Sequence, residues 1–313
     1  MENLRIGVDL GGTKVEAVVV RLGGDAPDVL VRKRVPTHAE RGYDAIVQAT
    51  CELVRDVGRE CGADDLPIGI GMPGSVTYRR SDGTRSDVPL VKNANTTSLN
   101  GRPFHADVQR ALGRPIAFAN DANCFALAEA TWGASRGARV SFGVIMGTGV
   151  GGGIVLRGES GVLRAWDGAQ GIAGEWGHLS LDAENGLPCY CGRRGCVEMY
   201  LAGPRIEQTY AARSGKTKSL SEIAQAAYEG EPAASRLMAE RFELFGRAMA
   251  TVIDILDPDV VVLGGGVSNV EGLYHEGIDA VRHWVFNDEL GTRIVKHQIG
   301  DSAGVLGAAL LPE

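Results

Sequence analysis

Alternating apolar and small or polar residues near the N-terminus predict a β-hairpin. Residues 6–10 (IGVDL) alternate in this way, Gly11, Gly12 and Thr13 follow, and Val15–Val20 is an apolar run. Period-two alternation is typical of a strand, and glycines between two such runs are typical of a tight turn. The predicted order of strand, turn and strand is a hairpin, whereas a Walker-type loop leads from a strand into a helix.

The same unit recurs further along the chain. The apolar run Val140–Met146 is followed by the turn residues 147–153 (GTGVGGG), and Ile154–Leu156 begins a return strand. A third apolar run, Val260–Leu263, ends in three glycines at 264–266. Because strand, glycine-threonine turn and strand occur twice, we expect two halves of related architecture, each with one phosphate-binding hairpin.

Helical patterns occupy much of the chain between these strands. Apolar residues at helical spacing predict helices over Tyr43–Cys61, Ala122–Ala130, Leu220–Tyr228 and Ala233–Leu256. Short apolar runs at Ile68–Ile70 and Ile116–Ala119 predict further strands, and this alternation favours α/β domains around partly parallel sheets. The polar, turn-rich segment Thr77–Pro89 is expected to form an exposed loop or hairpin.

Composition and charge exclude several classes of protein. With 313 residues, 44% of them hydrophobic, the chain can bury a sizeable core and is long enough for two domains. The net charge of −7 and the lack of a Lys/Arg run argue against a nucleic-acid-binding protein. No apolar stretch reaches the roughly 18 residues of a membrane span, and residues 1–10 lack the pattern of a signal peptide. We therefore expect a cytoplasmic protein that binds neither nucleic acid nor a membrane.

One histidine and three closely spaced cysteines predict a metal site. His178 precedes Cys189, Cys191 and Cys196, and a structural zinc ion takes four sulfur or nitrogen ligands with no open position. The alternative is that these are ordinary cysteines, or that two of them form a disulfide. A disulfide would not persist in the cytosol, and unlinked cysteines rarely cluster in this way.

This cysteine segment resembles the zinc signature of the ROK family of sugar kinases and related repressors, and the resemblance covers nearly the whole chain. The signature is E-x-G-H followed by C-x-C-G-x-x-G-C-x-E. It is matched here by Glu175, Gly177, His178, Cys189, Cys191, Gly192, Gly195, Cys196 and Glu198. The resemblance implies a two-domain α/β fold of the actin-like, ribonuclease-H-like ATPase class, with a cleft between the domains. It also implies that structural Zn²⁺ fixes a sugar-binding loop and takes no part in catalysis.

A general base is predicted in the segment 120–123 (NDAN). Asp121 lies where a predicted strand meets a predicted helix, and one interpretation is that it caps that helix, since Asn and Asp are favoured N-caps. The ROK resemblance favours a second role, because N-D-x-N is the catalytic segment of the family and its aspartate accepts the proton of the sugar hydroxyl. Both roles are compatible with the sequence.

The glycine-rich turns are expected to bind ATP and Mg²⁺. Asp9 can hold Mg²⁺ through water, the Thr13 hydroxyl can donate to a phosphate oxygen, and glycine N–H groups can approach an anion closely. In the family the third glycine turn lies against the adenosine. The predicted nucleotide-binding residues are Asp9, Gly11, Gly12, Thr13, Lys14, Gly147, Thr148, Gly149, Gly151, Gly264, Gly265 and Gly266.

The resemblance also implies the sugar-binding residues and the reaction. The predicted sugar ligands are Gly74, Ser75, Asn95, Asn120, Glu175, His178 and Glu198. For Glu198 the alternative is a first-turn acid that complements a helix dipole. The expected activity is ATP-dependent phosphorylation of the 6-hydroxyl of a hexose.

The hexose is assigned from three segments that together look most like the fructokinase and mannokinase branch. These are 92–101 (KNANTTSLNG), 120–124 and 188–191, and fructose is therefore the favoured substrate, with mannose and glucose next. N-acetylglucosamine kinases differ in the first segment, and glucokinases are a more distant fit, so both remain alternatives. A ROK repressor is disfavoured, because its DNA-binding domain precedes the kinase-like body and the phosphate hairpin here begins at Asp9.

The predicted domain organisation follows the two halves. Residues 1–118 together with 303–313 are expected to form the N-terminal α/β domain, and residues 119–302 the C-terminal α/β domain with the zinc-binding loop. The only expected partners are a small hexose and a second copy of the chain, since the family commonly forms dimers.

Overall fold

The computed structural model describes residues 3–63 and 65–312 and divides into two compact units. Unit 1 comprises Met1–Gly137, Gly153–Ala173 and Ile299–Glu313, and unit 2 comprises Ala138–Gly152 and Gly174–Gln298. The predicted division into domains at residues 118/119 and 302/303 stays a prediction. None of the helices in the described part of the chain is long and apolar enough to cross a membrane.

Unit 1 is built on a five-stranded mixed sheet. Its strands are β1 (Leu4–Leu10), β2 (Lys14–Arg21), β3 (Asp28–Pro36), β4 (Ile68–Met72) and β7 (Ala117–Asn120). They lie in the order β3-β2-β1-β4-β7. The pairs β1–β2 and β2–β3 are antiparallel, whereas β1–β4 and β4–β7 are parallel. The predicted N-terminal hairpin is therefore confirmed as β1 and β2, with one turn between them.

Four helices complete unit 1 together with a separate hairpin and a short strand. The helices are α1 (Tyr43–Glu60), α2 (Phe104–Leu112), α3 (Asp121–Trp132) and α9 (Ala303–Ala309), the hairpin is β5 (Ser75–Arg79) and β6 (Arg85–Lys92), and the short strand is β10 (Leu163–Ala165). The hairpin contains most of the segment predicted as an exposed loop or hairpin. A Cβ on Gly69 in β4 would lie 1.8 Å from the carbonyl oxygen of Ala308, so only glycine lets α9 pack this closely on the sheet.

The strands of unit 2 are mainly parallel. β8 (Val140–Met146), β11 (Val260–Gly264) and β12 (Arg293–Lys296) lie side by side, with β11 in the middle. β9 (Val150–Arg157) begins in unit 2, and its last residues pair with β10 in unit 1. Both β8 and β11 consist largely of buried residues, as expected for strands covered on both faces.

The helices of unit 2 follow the cysteine segment and fill most of the remaining chain. They are α4 (Glu198–Leu201), α5 (Gly203–Ser214), α6 (Leu220–Tyr228), α7 (Pro232–Leu256) and α8 (Glu276–Trp284). The helix predicted over Leu220–Tyr228 is confirmed with the same bounds, because Ser219 forms a capping box with Glu222 at its start. The helix predicted over Ala233–Leu256 is confirmed as α7.

Candidate functional site

The turn between β1 and β2 presents the first predicted phosphate-binding residues at its tip. The N–H of Gly11 donates to the carbonyl oxygen of Lys14 at 3.0 Å, which closes the turn. Thr37, directly after β3, stabilises the turn through two hydrogen bonds. Its hydroxyl donates to the Gly11 oxygen at 2.8 Å, and its N–H donates to the Thr13 oxygen at 3.0 Å. Gly12 and Thr13 are exposed between these anchors. The ends of the turn are therefore held by hydrogen bonds, and its tip is accessible to a ligand.

Asp9, at the end of β1, carries a strongly perturbed carboxyl group. Burial, together with repulsion from Asp121 and from Glu16, raises its pKa to about 6, against the attraction of Lys14 and Arg34. Its side chain also packs against α9, where a Cβ on Gly304 would lie 3.2 Å from Oδ2. A largely buried carboxylate that a second carboxylate repels is stabilised by a bound cation. β1 and α3 thus carry two carboxylates whose charges act on each other.

The structure separates the two roles that the sequence left open at the start of α3. Asn120 is the N-cap, and its Oδ1 accepts a hydrogen bond from the N–H of Asn123 at 2.7 Å. Asp121 is the first residue of the helix, and its Oδ1 accepts from the N–H of Ala122 at 2.9 Å. Asn120 is therefore the N-cap residue of α3, and Asp121 accepts one further N–H of its first turn.

A buried amide links the base segment to a residue that sequence analysis missed. Asn123 is almost fully buried, its Nδ2 donates to Asp167 Oδ1 at 2.5 Å, and its Oδ1 accepts from the N–H of Ile154 at 3.1 Å. Burial raises the pKa of Asp167, and the bond from Asn123 partly lowers it. The side chain of Asn123 therefore ties the beginning of α3 to β9 and to the segment after β10.

The predicted sugar ligands of unit 1 other than Asn120 cluster around the hairpin β5–β6. Gly74 precedes β5, and a Cβ at this position would lie 2.5 Å from the Lys92 oxygen. After β6, Asn100 accepts from the N–H of Ala94 at 2.8 Å and donates to the Ala94 oxygen at 3.1 Å. Asn95 is exposed next to these two hydrogen bonds, and the preceding Ala94 is buried. Ser75 pairs with Lys92 across the hairpin.

The second glycine-threonine turn lies beside a large cavity of unit 2. The N–H of Gly147 donates to the Gly149 oxygen at 2.9 Å, and the Gly147 oxygen accepts from the N–H of Gly203 at 2.9 Å. Gly147, Thr148 and Gly266 line a cavity of about 1250 Å³, whose other walls come mainly from α5, α6 and α7. The structure therefore brings the second and third predicted nucleotide turns to one cavity.

Close packing fixes the third turn behind that cavity. Gly265 has a φ of 79°, and a Cβ on it would lie 2.4 Å from the oxygen of Met146, the last residue of β8. Both the positive φ and the close approach require glycine. Gly264 is the last residue of β11 and Gly266 begins a 3-10 turn, so β8 and β11 carry the two turns at neighbouring ends.

The E-x-G-H segment is anchored to the start of β9. Trp176, which is 3% exposed, donates from Nε1 to the Gly151 oxygen at 2.9 Å and packs edge-on against Phe142. It begins the 3-10 turn Trp176–His178 directly after Glu175. Sequence analysis assigned no role to this tryptophan, although its position between Glu175 and His178 places it in the motif. The packing of Trp176 therefore fixes the backbone positions of Glu175 and His178.

Glu198 has a specific backbone partner. Its Oε2 accepts from the N–H of Val150 at 2.9 Å, and a Cβ on Gly149 would lie 2.7 Å from the same oxygen. Glu198 is the first residue of α4, a helix of four residues. The carboxylate thus joins α4 to the second glycine turn, which a dipole interaction alone does not explain.

The four predicted metal ligands converge. The ligand atoms of His178, Cys189, Cys191 and Cys196 all lie within 4.8 Å of one another. Cys191 Sγ is 3.6 Å from Cys196 Sγ, and Cys189 Sγ is 3.7 Å from His178 Nδ1. Zinc–sulfur bonds of about 2.3 Å in a tetrahedron place sulfur atoms about 3.8 Å apart. The cysteines are free thiols, so the set fits one zinc ion with no open position.

The second nitrogen of the histidine faces a tyrosine within the cysteine segment. His178 Nε2 lies 3.1 Å from the hydroxyl of Tyr190. Burial raises the pKa of Tyr190, and the charges of Glu198 and Glu175 raise it further. Tyr190 was not predicted as a site residue. Its hydroxyl contacts His178, and the charges of Glu175 and Glu198 act on it within unit 2.

Comparison with known proteins gives a family and a set of relatives. Residues 5–313 match the ROK family. An N-acetyl-D-glucosamine kinase of Vibrio parahaemolyticus is 35% identical, covering 97% of this chain and 98% of the relative. A kinase of the same name from Yersinia pseudotuberculosis is also 35% identical, covering 97% of both chains.

Solved structures of the same family have a similar fold. The ROK hexokinase of Thermus thermophilus has a TM-score of 0.83 and 33% identity, covering 99% of this chain and 97% of that chain. A ROK glucokinase of Streptomyces griseus, solved with glucose and AMPPNP, has a TM-score of 0.74 and 29% identity, covering 99% of each chain. These matches confirm the α/β fold predicted from the glycine turns and the cysteine signature. The chain belongs to the ROK family.

Proposed function

We propose that this chain is an ATP-dependent hexose kinase and that its acceptor is N-acetyl-D-glucosamine, phosphorylated on the 6-hydroxyl. The choice of this acceptor rests on the 35% identity, over 97% of the chain, to proteins named N-acetyl-D-glucosamine kinases. This differs from the fructose preference that the sequence segments favoured. The kinase assignment itself is supported by both sets of relatives.

The cavity of unit 2 supports the use of a nucleotide. Its volume of about 1250 Å³ exceeds the usual 300–1,000 Å³ of small-molecule sites, so a nucleoside triphosphate has room. Gly147, Thr148 and Gly266 on its wall offer backbone and hydroxyl donors to phosphate oxygens. We infer that this cavity takes the nucleoside, with phosphates toward the glycine turns.

The carboxylates of unit 1 support the proton transfer and the metal. Asp121 is the proposed base, because its carboxylate lies at the exposed start of α3, where Oδ1 is oriented by the N–H of Ala122. A loose phosphoryl-transfer transition state needs a well-oriented proton acceptor rather than a strong base. Asp9 is the proposed ligand of Mg²⁺ through water, and the positive ion would relieve its repulsion with Asp121.

The proposed zinc ion is structural. His178, Cys189, Cys191 and Cys196 would hold it, which fixes the segment carrying Tyr190. Zinc on His178 Nδ1 leaves Nε2 to face a hydroxyl, either that of Tyr190 or that of a sugar. With four protein ligands no water can bind the ion, so a zinc-hydrolase function is disfavoured.

Fructose is the second candidate acceptor, favoured by the segment 92–101. Asn100 clamps Ala94 through two hydrogen bonds and holds the exposed Asn95 beside them. A site with fixed polar groups rejects a sugar that leaves them unpaired. The two acceptors differ at carbons 1 and 2, so a fixed segment would favour one of them strongly.

The proposal is tested by coupled ADP release with N-acetyl-D-glucosamine, fructose, mannose and glucose. We expect kcat/KM to be highest for N-acetyl-D-glucosamine. A higher value for fructose would move the assignment to the second candidate, and absence of sugar-dependent ADP release would overturn the kinase assignment.

A further inference from the structure

Arg241 on α7 is a buried cation that lacks a direct ion-pair partner among the described residues. Its exposed fraction is 5%, and within residues 3–63 and 65–312 it forms no hydrogen bond or ion pair, its Nε being buried without a partner. The guanidinium faces the ring of Tyr200, whose centroid lies 5.7 Å from Cζ. Burial lowers the pKa of Arg241 and repulsion from Arg213 lowers it further, against the attraction of Glu240.

Arg241 lines a second cavity of unit 2, of about 850 Å³. Two further arginines, Arg205 and Arg213, line it as well. Arg205 donates to Gln208 Oε1 at 3.0 Å. Two carboxylates also reach the wall, but both have partners elsewhere. Glu240 pairs with Arg213 at 2.7 Å, and Glu243 accepts from Trp284 Nε1 at 2.6 Å. Arg241 therefore lines the cavity without an ion-pair partner among the described residues.

We propose that this cavity binds a small phosphate-bearing anion, whose oxygens pair with the guanidinium of Arg241. An unpaired charge is costly to keep out of water, and a bound oxyanion removes that cost. The planar guanidinium fork matches the oxygens of a phosphate group and can bind two of them at once. With three arginines and two glutamates on the wall, one net positive charge remains there, which suits a singly charged phosphate group.

The cavity lies next to the metal-binding segment of the same unit. Leu187 and Pro188, which precede Cys189, are part of its wall. The hydroxyl of Tyr200 accepts from the N–H of Leu187 at 3.4 Å, and Tyr200 is two residues beyond Glu198. An anion bound to Arg241 would thus rest against Tyr200 and stabilise the segment that begins at Leu187. The proposal stands on these contacts of unit 2 and does not require the hexose kinase activity.

The test compares thermal unfolding of the full-length protein with the variant Arg241→Met in inorganic phosphate at constant ionic strength. ADP and Mg²⁺ are present throughout, so that a nucleotide site is already filled. We expect about 10 mM phosphate to raise the wild-type midpoint by several degrees and to leave Arg241→Met unchanged. Without phosphate, the variant should unfold at the same temperature as the wild type or above it, because methionine replaces an unpaired buried charge.

The matched control is Arg247→Met, further along α7, where the guanidinium lies over the ring of Trp284. Its response to phosphate should equal that of the wild type. If the wild type responds neither to inorganic phosphate nor to glucose 6-phosphate, or if the wild type and Arg241→Met respond equally, the proposal is overturned. If Arg241→Met does not fold, Arg241→Lys is used in its place. Because lysine lacks the guanidinium fork, the phosphate concentration needed for the same rise in midpoint should increase at least several-fold. An unchanged response of Arg241→Lys would contradict the proposal.

A second arm distinguishes the source of the phosphate group. The same two proteins are titrated with glucose 6-phosphate in place of inorganic phosphate. A response to both ligands that depends on Arg241 identifies a site for the free phosphate group, whereas a response to the sugar phosphate alone identifies a phosphosugar site. Either result supports the proposal.

Discussion

Replacing Asp9 by Asn should stabilise the metal-free protein while it abolishes turnover. Burial and the charges of Asp121 and Glu16 raise the pKa of Asp9 from 3.8 to about 6. Because a pKa difference of one between the folded and unfolded states corresponds to about 1.4 kcal/mol, the ionised carboxylate costs the folded state about 3 kcal/mol. Asparagine carries no charge and avoids that cost.

The pH dependence follows from the raised pKa of Asp9. The unfolded chain loses the proton of Asp9 near pH 4, whereas the folded chain keeps it until about pH 6. Stability is therefore lost as the pH rises between these values, and the whole loss is present above pH 6. About half of it is present at pH 5. The advantage of Asp9→Asn should accordingly be about twice as large at pH 7.5 as at pH 5.

Differential scanning fluorimetry in EDTA at the two pH values measures this effect. We expect the midpoint of Asp9→Asn to lie several degrees above that of the wild type at pH 7.5. Mg²⁺ with ATP should raise the wild-type midpoint and change that of the variant much less. Asp87→Asn, in which an exposed carboxylate of the same unit is removed, is the control and should change the midpoint little. If Asp9→Asn is less stable than the wild type at pH 7.5 in EDTA, the ionised Asp9 carboxylate does not destabilise the folded protein and the prediction is wrong.

Three further variants test the proposed site. Asp121→Asn should still bind sugar and ATP but lose kcat by roughly 10²- to 10⁴-fold in steady-state assays, and near-normal kcat would reduce Asp121 to a structural residue. Metal analysis should find one zinc ion per chain, and Cys191→Ser should release it and raise the KM for sugar; zinc-free wild-type protein would contradict this. Gly149→Ala would place a Cβ 2.7 Å from Glu198 Oε2, so it should raise the KM for sugar, and unchanged kinetics would argue against a role for Glu198.

The sequence predicted those parts of the structure that depend on local patterns. The hairpin β1–β2 and the strands β8 and β11 were predicted because each apolar run ends at glycines. The helix α6 has its own N-terminal capping box, so its bounds depend on residues within the segment. The metal cluster was predicted for the same reason, because three of its ligands lie within eight residues of one another.

Contacts between distant parts of the chain could not be predicted in this way. Asn123 and Asp167 form a hydrogen bond across 44 positions, and neither residue type nor spacing indicates that pairing. The packing of α9 on Gly69 depends on the sheet already being formed. Arg241 occupies a position in a regular amphipathic helix, and only the burial of its side chain distinguishes it from a solvated arginine.

The acceptor shows the limit of a single segment as evidence. Residues 92–101 favoured fructose, whereas relatives that match along 97% of the chain are named N-acetyl-D-glucosamine kinases. The structure adds that Asn100 holds this segment in one conformation. A rigid segment can select a sugar, but which sugar depends on side chains that are distant in sequence.

Position-specific analysis of the product tests the central claim most directly. The protein is incubated with ATP, Mg²⁺ and N-acetyl-D-glucosamine, with Asp121→Asn in parallel, and the phosphorylated carbon is identified by phosphorus and carbon NMR. We expect a single product, N-acetyl-D-glucosamine 6-phosphate, formed stoichiometrically with ADP by the wild type and at least about 100-fold more slowly by the variant. No phosphorylated sugar, or phosphorylation at another hydroxyl, would contradict it.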